Sequence, residues 1–267
     1  MGGDFDRHER RMWAGSAEAY AGTFGLLCAG AVPELVAAAA VRPGARVLDV
    51  GTGPGTVAAE AGRRGARVTA VDAEPGMLEL AAANAPEAEL YCAALPALPF
   101  ADGAFDAALG NFVVNHVEEP VAALAELRRV VRPGGRTAVT IWDTAVGAQA
   151  MGLFSRAMDE AAIERPAFPR LPVDYERTTE GLAGLLDEAG WSEVECRKVT
   201  WTHLVDPQEW WRGPAEGVAN LGLVVRGLEP EAYLGMKAAY DRLAAAEAGP
   251  DGLLRVPAVA LLATAVR

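Results

Sequence analysis

Cysteine is nearly absent from this chain, and what there is forms no pattern. Cys28, Cys92 and Cys196 are the only three, far apart and without a CxxC pair, which excludes a disulfide framework and offers no zinc-ligand spacing. No metal is expected. Basic charge is short as well: 24 Lys and Arg stand against 36 Asp and Glu, a formal net charge of −12. Surfaces for phosphate backbones or anionic membranes are built from clustered Lys and Arg, so neither nucleic acid nor membrane is an expected partner. The chain also lacks the roughly 18 uninterrupted apolar residues that a membrane span needs. Its first residues, Met1-Gly-Gly-Asp-Phe-Asp-Arg-His-Glu-Arg-Arg11, do not follow the basic-then-apolar order of a signal peptide, and their acids argue against a transit peptide. A cytoplasmic location is the expectation.

Hydrophobic residues are plentiful, at 51% of 267. That is enough to close the core of one large α/β domain, with or without a cap, and it excludes disordered and fibrous classes. The alanine runs at 37–40 and 244–246 read as helix, since Ala is the strongest helix former. From Arg46 to Ile141 short β-branched runs alternate with helical stretches, the pattern of a parallel sheet covered by helices on both faces. Strands are predicted at 46–50, 67–71, 88–92, 105–110 and 137–142. Helices are predicted over 56–64, from Pro75, and over 120–132, where Val121, Leu124, Leu127 and Val131 share the buried side. Pro133-Gly134-Gly135 stops the last of these. The alternation breaks over 143–177, which carries Pro166, Pro169 and Pro172, and this segment reads as an insertion. A glycine-capped helix over 178–190 and a strand over 193–203 follow. Residues 207–250 read as helical and carry Trp210 and Trp211, and the apolar run 256–266 is expected to pair antiparallel with 193–203.

The densest chemical signal is Val47-Leu-Asp-Val-Gly-Thr-Gly-Pro-Gly-Thr56, a strand entering a glycine loop at the start of a helix. Gly51, Gly53 and Gly55 let the backbone turn sharply and approach a ligand closely, while the helix beyond them presents free N–H groups and a positive dipole end. Carboxylate, ribose and phosphate all suit such a loop. The dinucleotide fingerprint G-x-G-x-x-G would put its third glycine at Thr56, which disfavours a nicotinamide dehydrogenase. Asp49 is an acid in a strand expected to be buried on both faces, so it requires the loop's own amides or a cationic ligand group. The second strand ends at Asp72, where a carboxylate can accept hydrogen bonds from both hydroxyls of a ribose.

These segments resemble class I S-adenosylmethionine (SAM) dependent methyltransferases. Val47-Leu-Asp-Val-Gly-Thr-Gly-Pro-Gly55 is similar to their first motif and Val71-Asp-Ala-Glu-Pro-Gly-Met77 to their second. Leu98-Pro-Phe-Ala-Asp-Gly-Ala-Phe-Asp106, Asn111-Phe-Val-Val-Asn-His116 and Leu127-Arg-Arg-Val-Val-Arg-Pro-Gly-Gly135 are similar to the type 11 subfamily that includes the ubiquinone and menaquinone C-methyltransferases. The resemblance covers residues 44–142 in order and spacing. It implies an α/β, Rossmann-like, seven-stranded and mostly parallel sheet with the last strand antiparallel, plus helical cap insertions. Residues 1–142 would then supply N-terminal lid helices and the SAM-binding core. Segments 143–177 and 207–250 would be caps, and 178–206 with 251–267 would complete the sheet.

The resemblance also implies a cofactor site, with S-adenosylhomocysteine (SAH) as product and no metal. Gly51, Thr52, Gly53 and Gly55 would meet the methionine end, Asp72 the ribose hydroxyls, and Ala73 or Met77 the adenine, with a helix-core role for Met77 the alternative. Where the family commonly carries an acid followed by alanine, this chain has Ala94 and Leu95, which keeps only a backbone role for them. Asn111 and Phe112 would lie under the sulfonium. Trp13 to Tyr20 resembles a lid helix, with Tyr20 closing over the cofactor carboxylate or simply docking the helix.

Methyl transfer mainly requires alignment and exclusion of water. Where the acceptor must lose a proton, His116 is the first candidate base, followed by His203 and His8. Trp13, Trp142 and Trp210 are candidates for an apolar acceptor pocket, or else core. The expected partner is a small-molecule acceptor, and monomer and homodimer stay open. The competing readings are a SAM-fold enzyme of another class, such as a cyclase or hydroxylase, and a non-catalytic SAM-binding module.

Overall fold

A computed structural model describes residues 3–143, 151–169 and 175–267. Seven strands form one sheet: β1 (Arg46–Val50), β2 (Arg67–Asp72), β3 (Glu89–Cys92), β4 (Phe105–Asn111), β5 (Val131–Trp142), β6 (Ser192–Val205) and β7 (Leu254–Val266), in the order β3-β2-β1-β4-β5-β7-β6. The first five are parallel, and β7 runs antiparallel between β5 and β6. This is the expected sheet. The chain winds outward from β1 to β3 and then returns to β4, so connections leave β1 and β4 toward opposite faces, and a crevice opens beyond their carboxyl ends.

Burial follows composition. Val47, Leu48 and Asp49 of β1 and Ala260, Leu261 and Ala263 of β7 are fully buried, as interior strands of a two-faced sheet require. One face is covered by α7 (Pro120–Val130) and α9 (Thr179–Glu188) over Leu48, Ile141 and Leu261, and the other by α4 (Val32–Ala38) and α5 (Thr56–Arg63) over Val47, Leu109 and Leu262. The first face includes the Thr178 hydroxyl, which accepts from the Gly181 amide and caps α9. A separate apolar cluster joins α8 (Gly152–Glu160), α10 (Pro207–Ala215), α11 (Ala219–Arg226) and α12 (Pro230–Glu247), with Phe154 stacked on Tyr240 at 5.2 Å. Of segment 143–177, residues 144–150 and 170–174 lie outside the described residues.

Two local expectations are corrected. Trp13 to Tyr20 is not one helix: α1 (Asp4–Trp13) ends at Trp13, Gly15 takes a left-handed φ of 70°, and α2 (Ala17–Ala21) restarts the chain. Pro133-Gly134-Gly135 is not a turn ahead of the fifth strand but an excursion within β5, where Phe105 pairs with Val131 and Ala107 next pairs with Arg136. Gly134, at φ 71°, absorbs the extra residues there. Between these elements lie α3 (Phe24–Ala29) and α6 (Pro75–Asn84), both facing the crevice.

Candidate active site

The crevice beyond β1 and β4 holds a cavity of about 920 Å³, within the size range of small-molecule sites. Its floor is the glycine loop. Gly51 has φ 62°, and a Cβ there would stand 2.5 Å from Cγ2 of Val113, so only glycine lets the loop lie against the end of β4. Gly53 has φ 54°, and a Cβ there would stand in van der Waals contact with the Tyr20 ring, 3.7 Å away.

Asp72 closes one side of the loop. Its Oδ2 accepts from the Gly53 amide at 2.8 Å and its Oδ1 from the Glu74 amide at 3.0 Å, which leaves each oxygen a further lone pair. Burial raises the Asp72 pKa, and these amides oppose the rise. Behind the loop, Asp49 is fully buried. Its Oδ2 accepts from the Thr52 hydroxyl at 2.6 Å, and its Oδ1 has no hydrogen-bond partner. Burial pushes this carboxyl up to about 7.

At the end of β4 the backbone is strained. Phe112 takes φ 57° without being glycine, and its amide donates to the Thr140 carbonyl and hydroxyl at 3.1 and 3.0 Å. Backbone of this kind costs roughly 1–3 kcal/mol and concentrates at functional sites. Here it turns the Phe112 ring onto Trp142, with centroids 4.0 Å apart and planes 15° from parallel. The Asn111 side chain is taken up by the fold, donating to the Cys28 carbonyl at 3.1 Å and accepting from the Thr140 hydroxyl at 2.7 Å.

The roof comes from the N-terminal helices. Phe5, Glu9, Met12 and Trp13 form one face of α1 on the cavity wall. Trp13 meets Tyr20 edge to face at 5.3 Å, so the pair converges despite the break between their helices. Burial raises the Tyr20 pKa well above its ordinary value, with Cys28 and Asp72 adding to the shift, and it pushes the Cys28 thiol up to about 11. His116 ends a 3₁₀ turn after β4. Its Nδ1 lies 2.8 Å from Oε2 of Glu9, and its ring lies edge to face with Trp13 at 5.3 Å.

The cavity therefore gathers Trp13, Tyr20, Gly51, Gly53, Asp72, Met77, Asn111, Phe112, His116 and Trp142 of the expected site residues. Asp49 behind the loop, and Thr52 and Gly55 within it, lie off the wall. Ala73 and Ala94 are exposed to solvent, and Leu95 packs on the sheet core. Trp210 is buried against Phe24 at 4.8 Å, within the helical cluster and away from the wall. His203 faces Trp210, and burial lowers its pKa. His8 pairs with Oδ1 of Asn220 at 2.6 Å.

Comparison with known proteins places this geometry. Residues 48–139 match the family model described as a methyltransferase domain. A demethylmenaquinone methyltransferase of Beutenbergia cavernae is 34% identical over 169 residues, covering 60% of this chain and 70% of the relative. One of Renibacterium salmoninarum is 31% identical over 167 residues, covering 59% and 70%. The chain belongs to the class I SAM-dependent methyltransferases. The crystal structure of the YcgJ protein from Bacillus subtilis shares the fold of this methyltransferase at a TM-score of 0.56 and 19% identity, covering 89% of this chain and 97% of that one.

Polar groups of the methyltransferase's cavity that the sequence did not single out include Glu9 and Asn115. Glu9 is 9% exposed and lines the wall. Its signal is an acid inside the stripe formed by Phe5, Met12 and Trp13. Asn115, 7% exposed, lines the same wall, and its Oδ1 is without a partner. Among the described residues no cluster of three or more His, Cys, Asp or Glu is placed to hold a metal ion. No helix there is long and apolar enough to cross a membrane.

Proposed function

We propose that this methyltransferase modifies a small, hydroxylated aromatic acceptor, with SAM lying along the glycine loop and the acceptor against the Phe112–Trp142 wall. The observation that carries the reading is a single cavity that brings Gly53, Asp72 and the end of β4 together with His116 and stacked aromatic rings. The residues fit the cofactor. The cradle over Gly53 is one that a Cβ would begin to fill, and Asp72 keeps acceptor capacity for two ribose hydroxyls beyond its bonds to Gly53 and Glu74. Met77, 4% exposed and on the wall, would pack on the adenine. The backbone at Asn111 and Phe112 would lie under the sulfur.

When bound, SAM supplies an electrophilic methyl group on a sulfonium. The protein's part is to align and to exclude water. Tyr20 and Trp13 roof the cavity, Phe112 and Trp142 orient a flat ring by stacking, and His116 takes the acceptor proton. Of the charged groups on the wall, Asp72 and Glu74 flank the glycine loop and suit a cationic cofactor, while Arg177 lies on the same wall and Asp143 pairs with Lys198 at 2.7 Å. The two relatives are demethylmenaquinone methyltransferases, and a quinone is consistent with a ring acceptor.

The test is transfer of labelled methyl from SAM to a panel of phenols, quinols and amines, with wild type and His116→Gln. Label on hydroxylated rings, reduced on the order of a hundredfold by His116→Gln, supports the reading. Label on amines alone overturns the acceptor class, and turnover unaffected by His116→Gln overturns the base.

A further inference from the structure

Glu9 is a buried acid on the cavity wall. It projects from a helix face whose other members, Phe5 and Met12, are apolar, and a buried carboxylate is costly unless it is hydrogen-bonded. Its Oε2 meets two side chains: Nδ1 of His116 at 2.8 Å, and Nε1 of Trp13, which donates at 3.2 Å from one turn along the same helix. Both neighbours and Glu9 itself lie on the cavity wall. The helix that carries Glu9 is fastened over the site independently, by the Gly3 amide donating to Glu118 at 2.6 Å and by His8 pairing with Asn220 at 2.6 Å. The carboxylate therefore sits in a fixed place with respect to the imidazole.

We propose that Glu9 is the positioning residue for His116, and that the pair adapts the site to acceptors whose nucleophile must first lose a hydroxyl proton. This rests on the reading of His116 as the base. A carboxylate only accepts, so its bond to His116 requires a proton on Nδ1. In the neutral imidazole this leaves the lone pair on Nε2, the tautomer that a carboxylate imposes on a catalytic histidine elsewhere. The acceptor hydroxyl gives its proton to Nε2 and keeps the O–H electron pair, which becomes the nucleophile. The imidazolium so formed lies against the Glu9 carboxylate and afterwards returns its proton to solvent.

The experiment is ¹⁵N-histidine NMR of the full chain, with the His116 signal assigned through His116→Gln, in wild type and in Glu9→Leu and Glu9→Gln. It needs no cofactor, so it holds or fails independently of SAM binding. The expected wild-type signature is that the neutral form of the ring carries its proton on Nδ1. Glu9→Leu, which keeps bulk and removes the acceptor, should release that preference and lower kcat on the order of tenfold or more, with SAH affinity and the KM for SAM unchanged. Glu9→Gln retains an oxygen for Nδ1–H and should recover the tautomer and part of the rate, and it carries the test alone if Glu9→Leu does not fold. A wild-type ring whose neutral form is protonated at Nε2 overturns the proposal. So does a tautomer indifferent to both substitutions, and so does a Glu9→Leu effect confined to KM.

Discussion

Replacing Asp49 by asparagine removes an ionisation that the fold opposes, and the effect has a size and a sign. Asp49 is fully buried, and burial, against the pull of the Thr52 hydroxyl and the Ala58 amide, raises its pKa from 3.8 to about 7. A shift of about three units corresponds to roughly 4 kcal/mol of preference for the neutral form. Between about pH 4 and 7 the folded protein therefore binds more protons at this site than the unfolded chain, so stability falls as pH rises through that window and is flat above it. From pH 5 to pH 8 the loss is roughly 2–3 kcal/mol. An asparagine in this place does not titrate. Its amide nitrogen would occupy the position where Oδ1 has no partner, a pH-independent cost of about 1–3 kcal/mol. Urea unfolding at pH 5, 6, 7 and 8 for both proteins gives the difference directly. Asp49→Asn should be the less stable at pH 5 and should gain about 2–3 kcal/mol on wild type by pH 8. A difference constant across that range, within roughly half a kcal/mol, would refute the buried, largely neutral carboxyl.

Gly51→Ala sets a methyl 2.5 Å from Val113 at a left-handed φ and should cost about 2–4 kcal/mol in thermal or urea unfolding. Gly53→Ala, with the same φ penalty but only a van der Waals contact with Tyr20 ahead of it, should cost only about 1 kcal/mol while weakening SAH binding measured by calorimetry. Trp142→Ala removes the ring stacked on Phe112. Half-buried, it should cost about 2–3 kcal/mol and raise the acceptor KM in steady-state assays, leaving SAH affinity in place.

The sheet and the cofactor-side loop were legible because their determinants are local. Each parallel strand is a short apolar run next to its own turn, and the Gly51 to Gly55 loop must lie where β1 ends. Asp72 follows from the same logic one strand on. The acceptor side depends on contacts between distant segments. Glu9 and His116 are 107 residues apart, so periodicity shows an acid in an apolar stripe without showing its partner. Trp142 and Trp210 look alike in sequence, each an aromatic in an apolar neighbourhood. Strained backbone at Phe112 brings one to the cavity, while packing on Phe24 and Phe154 takes the other into the core. The break between α1 and α2 turns on Gly15, yet the rings of Trp13 and Tyr20 meet edge to face across it.

Calorimetric titration of SAM and SAH into wild type and Asp72→Ala tests the central claim most directly. Two hydroxyl hydrogen bonds to a carboxylate, at about 1.5–3 kcal/mol each, predict saturable binding to wild type and affinity lower by roughly a hundredfold or more in the variant. An Asp72→Ala protein that binds as tightly as wild type, or a wild type that binds neither compound, would contradict the placement of the cofactor along this loop.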